Sequence, residues 1–343
     1  MAESFNGLMK VAAQRFDRSA ALFNRTVQSP NIHFIHVPPG TTGVNAVQEP
    51  GIFDAAEMPL ARYVFLKDQN DSFTAVPVFP DRLMIHQYVY TKKDSGIKTM
   101  SDLRGKNVLL TGYWVTASFW HRAILQEEYG INTNEINWHV TGPELDHRQT
   151  YPADLNIQVT PGPFQGMELL LEGKVDALMT ESSPPMSKEA QEVITRVIPD
   201  VFQVQRRWVA QNKFHPIVHL IVVRKEAIER WPDFGFEICK AYDEAKRQAY
   251  LSLQNERYTS LPFMREYLDD ALESSGDDPW AYGLNANKAE LMKFLELAQT
   301  QGMTKRKIEI NELFDLRSLE YQFKARLKTG STTDGGSIPN ASI

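Results

Sequence analysis

Short apolar runs of strand length recur through the first 110 residues, separated by polar connections and helix-compatible pieces, and this alternation constrains the fold more than any other feature of the chain. The runs cover residues 8–13, 32–37, 73–79, 83–90 and 108–111. Residues 20–27 and 60–66 lie between them as helix-compatible pieces, the second directly after Pro59, a residue favoured at a first helical position. Strands that alternate with helices predict an α/β architecture.

Further along, residues 116–129 read as a helix, with Trp120, Ala123, Ile124 and Tyr129 spaced for one buried stripe, Thr116 as N-cap and Gly130 as the stop. A short helix at 167–172 closed by Gly173 leads to a strand at 175–179. The β-branched run 219–223 precedes a helix at 233–251, in which Ile238, Tyr242, Ala245 and Ala249 share a face. A last helix at 288–301 has Asn287 and Glu290 in capping-box spacing and Gly302 at its end. From Lys328 the composition turns to Gly, Ser, Thr, Asp and Asn, which predicts a disordered tail over 328–343. One echo suggests two lobes of similar build: Asp54-Ala55 and Asp176-Ala177 each sit near a strand, with Glu57 or Glu181 shortly after.

At 343 residues the chain is long enough for two domains or one bilobal unit. Its formal charge of −6 and lack of a long basic run argue against nucleic acid or an anionic membrane as partner. A single cysteine, Cys239, excludes an internal disulfide and a thiolate zinc site, and reads as a buried structural thiol in a reducing compartment. No segment approaches the roughly 20 apolar residues of a membrane span, so the expected setting is the cytoplasm.

Neither a P-loop, a GxGxxG, an HExxH nor a GxSxG occurs. Chemistry is then expected directly after strand-like runs, outside the carboxyl ends of the strands. Four segments qualify. The first is 54–58, where Asp54 and Glu57 flank small residues and serve either a helix dipole or a site. In the second, 78–86, an even separation along a strand would put Arg82 and His86 on one face, to hold an anion and move a proton. The third, 111–118, offers Tyr113, Thr116 and Ser118 at a helix start suited to a carboxylate. The fourth, 214–219, places His215 and His219 around Pro216. His86, His215, His219 and Glu57 are also the residue types of a zinc, manganese or iron site, although no two histidines have a short ligand spacing on a helix.

Together these segments resemble the 4,5-dihydroxyphthalate decarboxylase family, relatives of type II periplasmic binding proteins, over residues 8–316. The likeness is carried by Phe53-Asp54-Ala55-Ala56-Glu57-Met58, by Val76-Pro77-Val78-Phe79-Pro80 with Arg82 and His86, and by Ser101-Asp102-Leu103-Arg104-Gly105-Lys106. It continues through 166–179, Pro216-Ile217-Val218-His219 and Asp278-Pro279-Trp280-Ala281-Tyr282-Gly283-Leu284. His215 departs from the pattern where an aromatic residue is expected, as do Pro59 and Arg62 where small hydroxyl residues are usual.

The resemblance implies two α/β lobes around a ligand cleft, one formed by 1–90 and 220–327 with the C-terminal helices and the other by 91–219. It implies a carboxy-lyase that removes CO2 from a small hydroxylated aromatic mono- or dicarboxylic acid by protonating the ring carbon. His86 or His219 would donate the proton with Glu57 as orienting carboxylate, and Arg82 would clamp a carboxylate. Thr116 with Ser118 would hold a second carboxylate or a phenolate, Glu181 a ring hydroxyl, and Tyr113 and His215 would line the cleft. No organic cofactor is expected; a divalent metal on His86, His219 and Glu57 is the open alternative, and a homo-oligomer is left open. A solute-binding or sensor protein for an aromatic acid, or a hydrolase or isomerase of a related ring-derived acid, would suit the same cleft.

Overall fold

The computed structural model describes residues 7–38, 52–69, 72–142, 149–160 and 164–327. The tail at 328–343 lies outside the described residues. Strands β1 (Met9–Ala13), β2 (Ile32–His36), β3 (Ala55–Pro59) and β4 (Phe73–Arg82) build a first sheet with β11 (Ile217–Arg224), in the order β2-β1-β3-β11-β4. β1 runs parallel to β2 and β3, while β11 inserts antiparallel between β3 and β4. Every residue of β11 is buried, so apart from His219 and Arg224 the strand is a run of branched apolar side chains rather than an alternation.

The second sheet, ordered β10-β5-β9-β6-β7-β8, contains β5 (Val89–Lys92), β6 (Asn107–Leu110), β7 (Asn137–Val140), β8 (Ile157–Val159), β9 (Ala177–Met179) and β10 (Ile194–Arg196). The chain leaves the first sheet after Arg82 and joins the second at Val89, then leaves β10 at Arg196 and returns at Ile217. Residues 83–90 are therefore not one strand, because a short 3-10 helix, Ile85–Tyr88, carries the chain between the sheets. The apolar character of this run comes from burial at the junction, where Ile85 and His86 are covered, and not from a place in a sheet.

The echo between the two halves has a structural basis. Asp54 N–H donates to Lys10 O, 2.9 Å, and Asp54 Oδ2 accepts from Lys10 N–H, 2.8 Å. Asp176 repeats this on Asn107, with the two bonds at 2.8 and 2.9 Å. In each lobe an aspartate entering one strand thus fixes the start of its neighbour.

Helices α1 (Leu60–Asp68), α2 (Thr116–Tyr129), α3 (Val201–Asn212), α4 (Phe234–Leu253) and α5 (Leu284–Thr300) cover the sheets. α2 buries Trp120, Ala123 and Ile124 and stops at Gly130, whose φ of 60° is the left-handed cap that glycine adopts without strain. Its N-cap is Val115 rather than Thr116: the Thr116 hydroxyl accepts the Ala61 N–H of α1 at 3.2 Å. α5 starts at Leu284, so Asn287 and Glu290 are interior residues and not a capping box.

α2 of the second lobe is joined to α5 along an aromatic seam. The Phe119 and Phe294 rings stand 4.4 Å apart and the Trp120 and Phe294 rings 5.6 Å. Trp120 Nε1 donates to Ile217 O at 3.0 Å, Arg122 Nε to Gln301 Oε1 at 3.0 Å, and Lys293 pairs with Glu127 at 2.6 Å. Among the described residues no helix is long and apolar enough to cross a membrane.

Candidate active site

The carboxyl end of β3 and the amino end of β11 meet at one point of the first sheet. Register places His219 opposite Pro59 on one side and Asp81 on the other, with Glu57 opposite Ile221. Residues two apart on a strand share a face, so Glu57 and His219 become diagonal neighbours. His219 Nδ1 lies 2.7 Å from Glu57 Oε1 and 3.7 Å from Asp81 Oδ2. Gln14, directly after β1, completes the carboxylate's shell: its N–H donates to Glu57 Oε2 at 2.9 Å and its side-chain amide to Oε1 at 3.3 Å.

A carboxylate that is 1% exposed is tolerable only with such partners. Burial by itself would lower the His219 pKa, but the hydrogen bond and charge of Glu57, together with Asp81, outweigh it and hold the imidazole above the ordinary histidine value. Asp81 is also raised, chiefly by burial and further by Glu57, while His219 and Arg18 pull it back. With Nδ1 committed to Glu57, His219 Nε2 has no hydrogen-bond partner among the described residues, and the side chain keeps 11% exposure.

Arg82 is placed differently from the clamp implied by the resemblance. Its Nη1 donates to Glu290 Oε2 at 3.0 Å and His215 O at 2.6 Å, and its Nη2 to Ala281 O at 2.8 Å and to Asn287 Oδ1. Both terminal nitrogens are thus engaged inside the protein, and Glu290 Oε1 also accepts the Ile217 N–H. This hub ties the end of β4 to the start of β11, and it explains why Asn287 and Glu290 are buried polar residues in α5. Burial pushes Glu290 up to about 7 against the pull of Arg82.

His86, on the 3-10 helix, does not share a strand face with Arg82. Its side chain has no exposure, its ring packs edge-on to Trp208 at 5.7 Å, and Glu128 Oε1 stands 3.6 Å from Nε2. Neither ring nitrogen has a hydrogen-bond partner among the described residues. That placement does not suit a proton donor to a ligand in the cleft. His215 anchors the segment before α5 through Nδ1 to Pro279 O, 2.9 Å, and burial beside Arg82 pushes it down to about 4.

From the second lobe, Thr116 is fully buried against α1, and Ser118 is 2% exposed with no hydrogen-bond partner among the described residues. Glu181 accepts from Thr111 Oγ1 at 2.8 Å, beyond the ends of β9 and β6. Tyr113 belongs to an aromatic core instead, edge-on to Trp114, Trp138 and Tyr151 and covered by Arg122 at 3.7 Å. Among the described residues no group of three or more His, Cys, Asp or Glu is arranged to hold a metal ion.

The fold is that of the two-lobed type II periplasmic binding proteins. The periplasmic aliphatic sulphonate binding protein SsuA of Escherichia coli has a TM-score of 0.56 at 13% identity, covering 91% of this chain and 99% of that one. The alkanesulfonate-binding protein SsuA of Xanthomonas axonopodis pv. citri has a TM-score of 0.51 at 13% identity, covering 91% and 99%.

In sequence the chain is similar to the 4,5-dihydroxyphthalate decarboxylase of Comamonas testosteroni, with 28% identity over 322 residues, 91% of this chain and 97% of that protein. It is also similar to the 4,5-dihydroxyphthalate decarboxylase of Pseudomonas putida, with 30% identity over 138 residues, 38% of this chain and 54% of that one. The resemblance read from the sequence is thereby borne out. No protein-family model matches the chain.

Proposed function

We propose that this chain is a cofactor-independent decarboxylase of a hydroxylated aromatic dicarboxylic acid of the 4,5-dihydroxyphthalate type, with His219 as proton donor and Glu57 as its orienting carboxylate. The observation that carries the reading is the His219–Glu57 hydrogen bond, which leaves Nε2 without a partner among the described residues and raises the imidazole's pKa. The names of the two sequence relatives support the reaction and the substrate class. A cytoplasmic setting accords with Cys239, a buried free thiol.

An aryl carboxylate loses CO2 with difficulty unless its ring carbon is protonated first, because otherwise an aryl carbanion must form. The His219 imidazolium gives its Nε2 proton to that carbon while the hydroxyl para to it supplies electrons. The bond to the carboxylate then breaks, its electron pair restores the aromatic ring, and CO2 leaves. Neutral His219 regains its proton from water. Ser118 and Glu181 are the second-lobe groups assigned to substrate oxygens.

Incubation of the protein with 4,5-dihydroxyphthalate should give the dihydroxybenzoate and CO2 in equal amounts by chromatography and gas analysis. Turnover should survive dialysis against a chelator; loss restored by a divalent cation would make His219 and Glu57 ligands instead. Absence of product would sink the assignment.

The proton donor also fixes a pH dependence. Glu57 and Asp81 raise the His219 pKa above the ordinary histidine value, so kcat/KM should fall as pH rises through that raised value. Glu57→Gln removes a charge that favours the imidazolium and should move this falling limb down by about one pH unit or more. An unmoved limb in the variant would remove His219 from the donor role.

A further inference from the structure

Building on the decarboxylase reading, we propose that Arg18 receives a substrate carboxylate and so selects dianionic aromatic acids over neutral catechols. The residue lies on the short 3-10 helix Asp17–Ser19, just past the carboxyl end of β1, and it is not among the residues that the sequence pattern marks.

Three contacts hold its guanidinium flat. Nε donates to Pro80 O at 2.7 Å, and Cζ lies 4.4 Å from the centre of the Phe16 ring and 3.8 Å from the centre of the Trp280 ring. Stacking on aromatic rings fixes the planar fork before a ligand arrives, which reduces the ordering cost of a two-pronged carboxylate contact. Nη1 reaches Asp17 Oδ1 at 3.0 Å, a carboxylate that is itself 62% exposed, and Nη2 has no partner among the described residues. The Arg18 side chain retains 13% exposure.

Its position relative to the chemistry follows from the strand. Pro80, which anchors Nε, is the residue before Asp81, and the Asp81 carboxylate stands 3.7 Å from His219 Nδ1. Arg18 acts electrostatically on Asp81. Two carboxyl groups, Glu57 and Asp81, flank His219 at this end of the site, and a dicarboxylate ligand brings more negative charge toward them. A cation next to Asp81 offsets that charge. Arg82 cannot serve, since both of its terminal nitrogens are engaged by Glu290, Asn287 and two carbonyls.

The test is calorimetric titration of the purified protein with phthalate and with catechol, in wild type, Arg18→Met and Arg18→Lys, alongside thermal melts. Loss of a charge-assisted contact should weaken phthalate binding by about 10- to 100-fold in Arg18→Met while catechol binding stays within about twofold. Arg18→Lys, which keeps the charge without the fork, should recover part of the loss and covers the case in which the methionine variant fails to fold. Unchanged phthalate affinity in a folded variant, an equal loss for both ligands, or no phthalate binding by wild type would each overturn the proposal. Selective loss of phthalate binding in a protein that produces no CO2 would uphold the Arg18 role and reject the decarboxylase reading.

Discussion

Replacing His219 with asparagine should lower kcat by about 10²- to 10⁴-fold, the range expected when a positioned general acid is removed, while ligand affinity changes only a few-fold. Asparagine suits the test because its amide N–H can still reach Glu57, which otherwise would be left buried without the partner now 2.7 Å away. What disappears is the second nitrogen, the one with no partner among the described residues. Single-turnover measurements together with equilibrium binding separate the two quantities, and a variant with full turnover, or one that loses affinity as much as rate, would reject the assignment. His86 provides the contrast. Its ring has no exposure and packs on Trp208, so His86→Gln should lower the melting temperature and leave the chemical step of the folded enzyme intact.

Arg82→Met should destabilise the protein by about 3–5 kcal/mol, because it strands Glu290 as an unpaired buried carboxylate. Urea unfolding measures this, and a loss below about 1 kcal/mol would show that the hub is dispensable. The sign of the pH dependence follows from Glu290. Burial already pushes its pKa up to about 7, and removal of Arg82 takes away the charge that holds it down. In the variant the folded state keeps a proton that the unfolded chain releases near the ordinary glutamate value. Wild type shares that cost up to its own folded value of about 7, so the variant's extra penalty opens as pH rises through about 7, where Glu290 ionises beside Arg82 in wild type and has no such charge in the variant. The deficit of Arg82→Met should accordingly be larger at pH 8 than at pH 5.

Much of the architecture was legible because burial leaves a periodic trace. The helix ending at Gly130 and the buried run of β11 could be read from apolar spacing alone, and the family resemblance supplied the bilobal arrangement. The run 83–90 misled for a physical reason: a chain crossing between two lobes is as apolar as a strand without being one. Asn287 and Glu290 misled likewise, since capping-box spacing and the spacing of two interior partners for a guanidinium are the same on a helix.

For the site, Glu57 and His219 are 162 residues apart, and only strand register brings them together. Gln14, Asp81 and Arg18 went unmarked because their parts depend on that register, although Gln14 directly follows a strand and Asp81 lies within a segment already singled out. Arg82 looked like a ligand-binding arginine because sequence does not reveal whether a guanidinium is already engaged.

The aromatic seam between α2 and α5 also fastens the strand that bears His219. Phe119, Trp120 and Phe294 interlock there, and the Trp120 indole reaches the first residue of β11, two positions before His219. Separating the two helices would expose these packed rings to water. α2 and the strand that carries His219 are thus riveted together at one point, so a shift of that helix is passed straight to the imidazole.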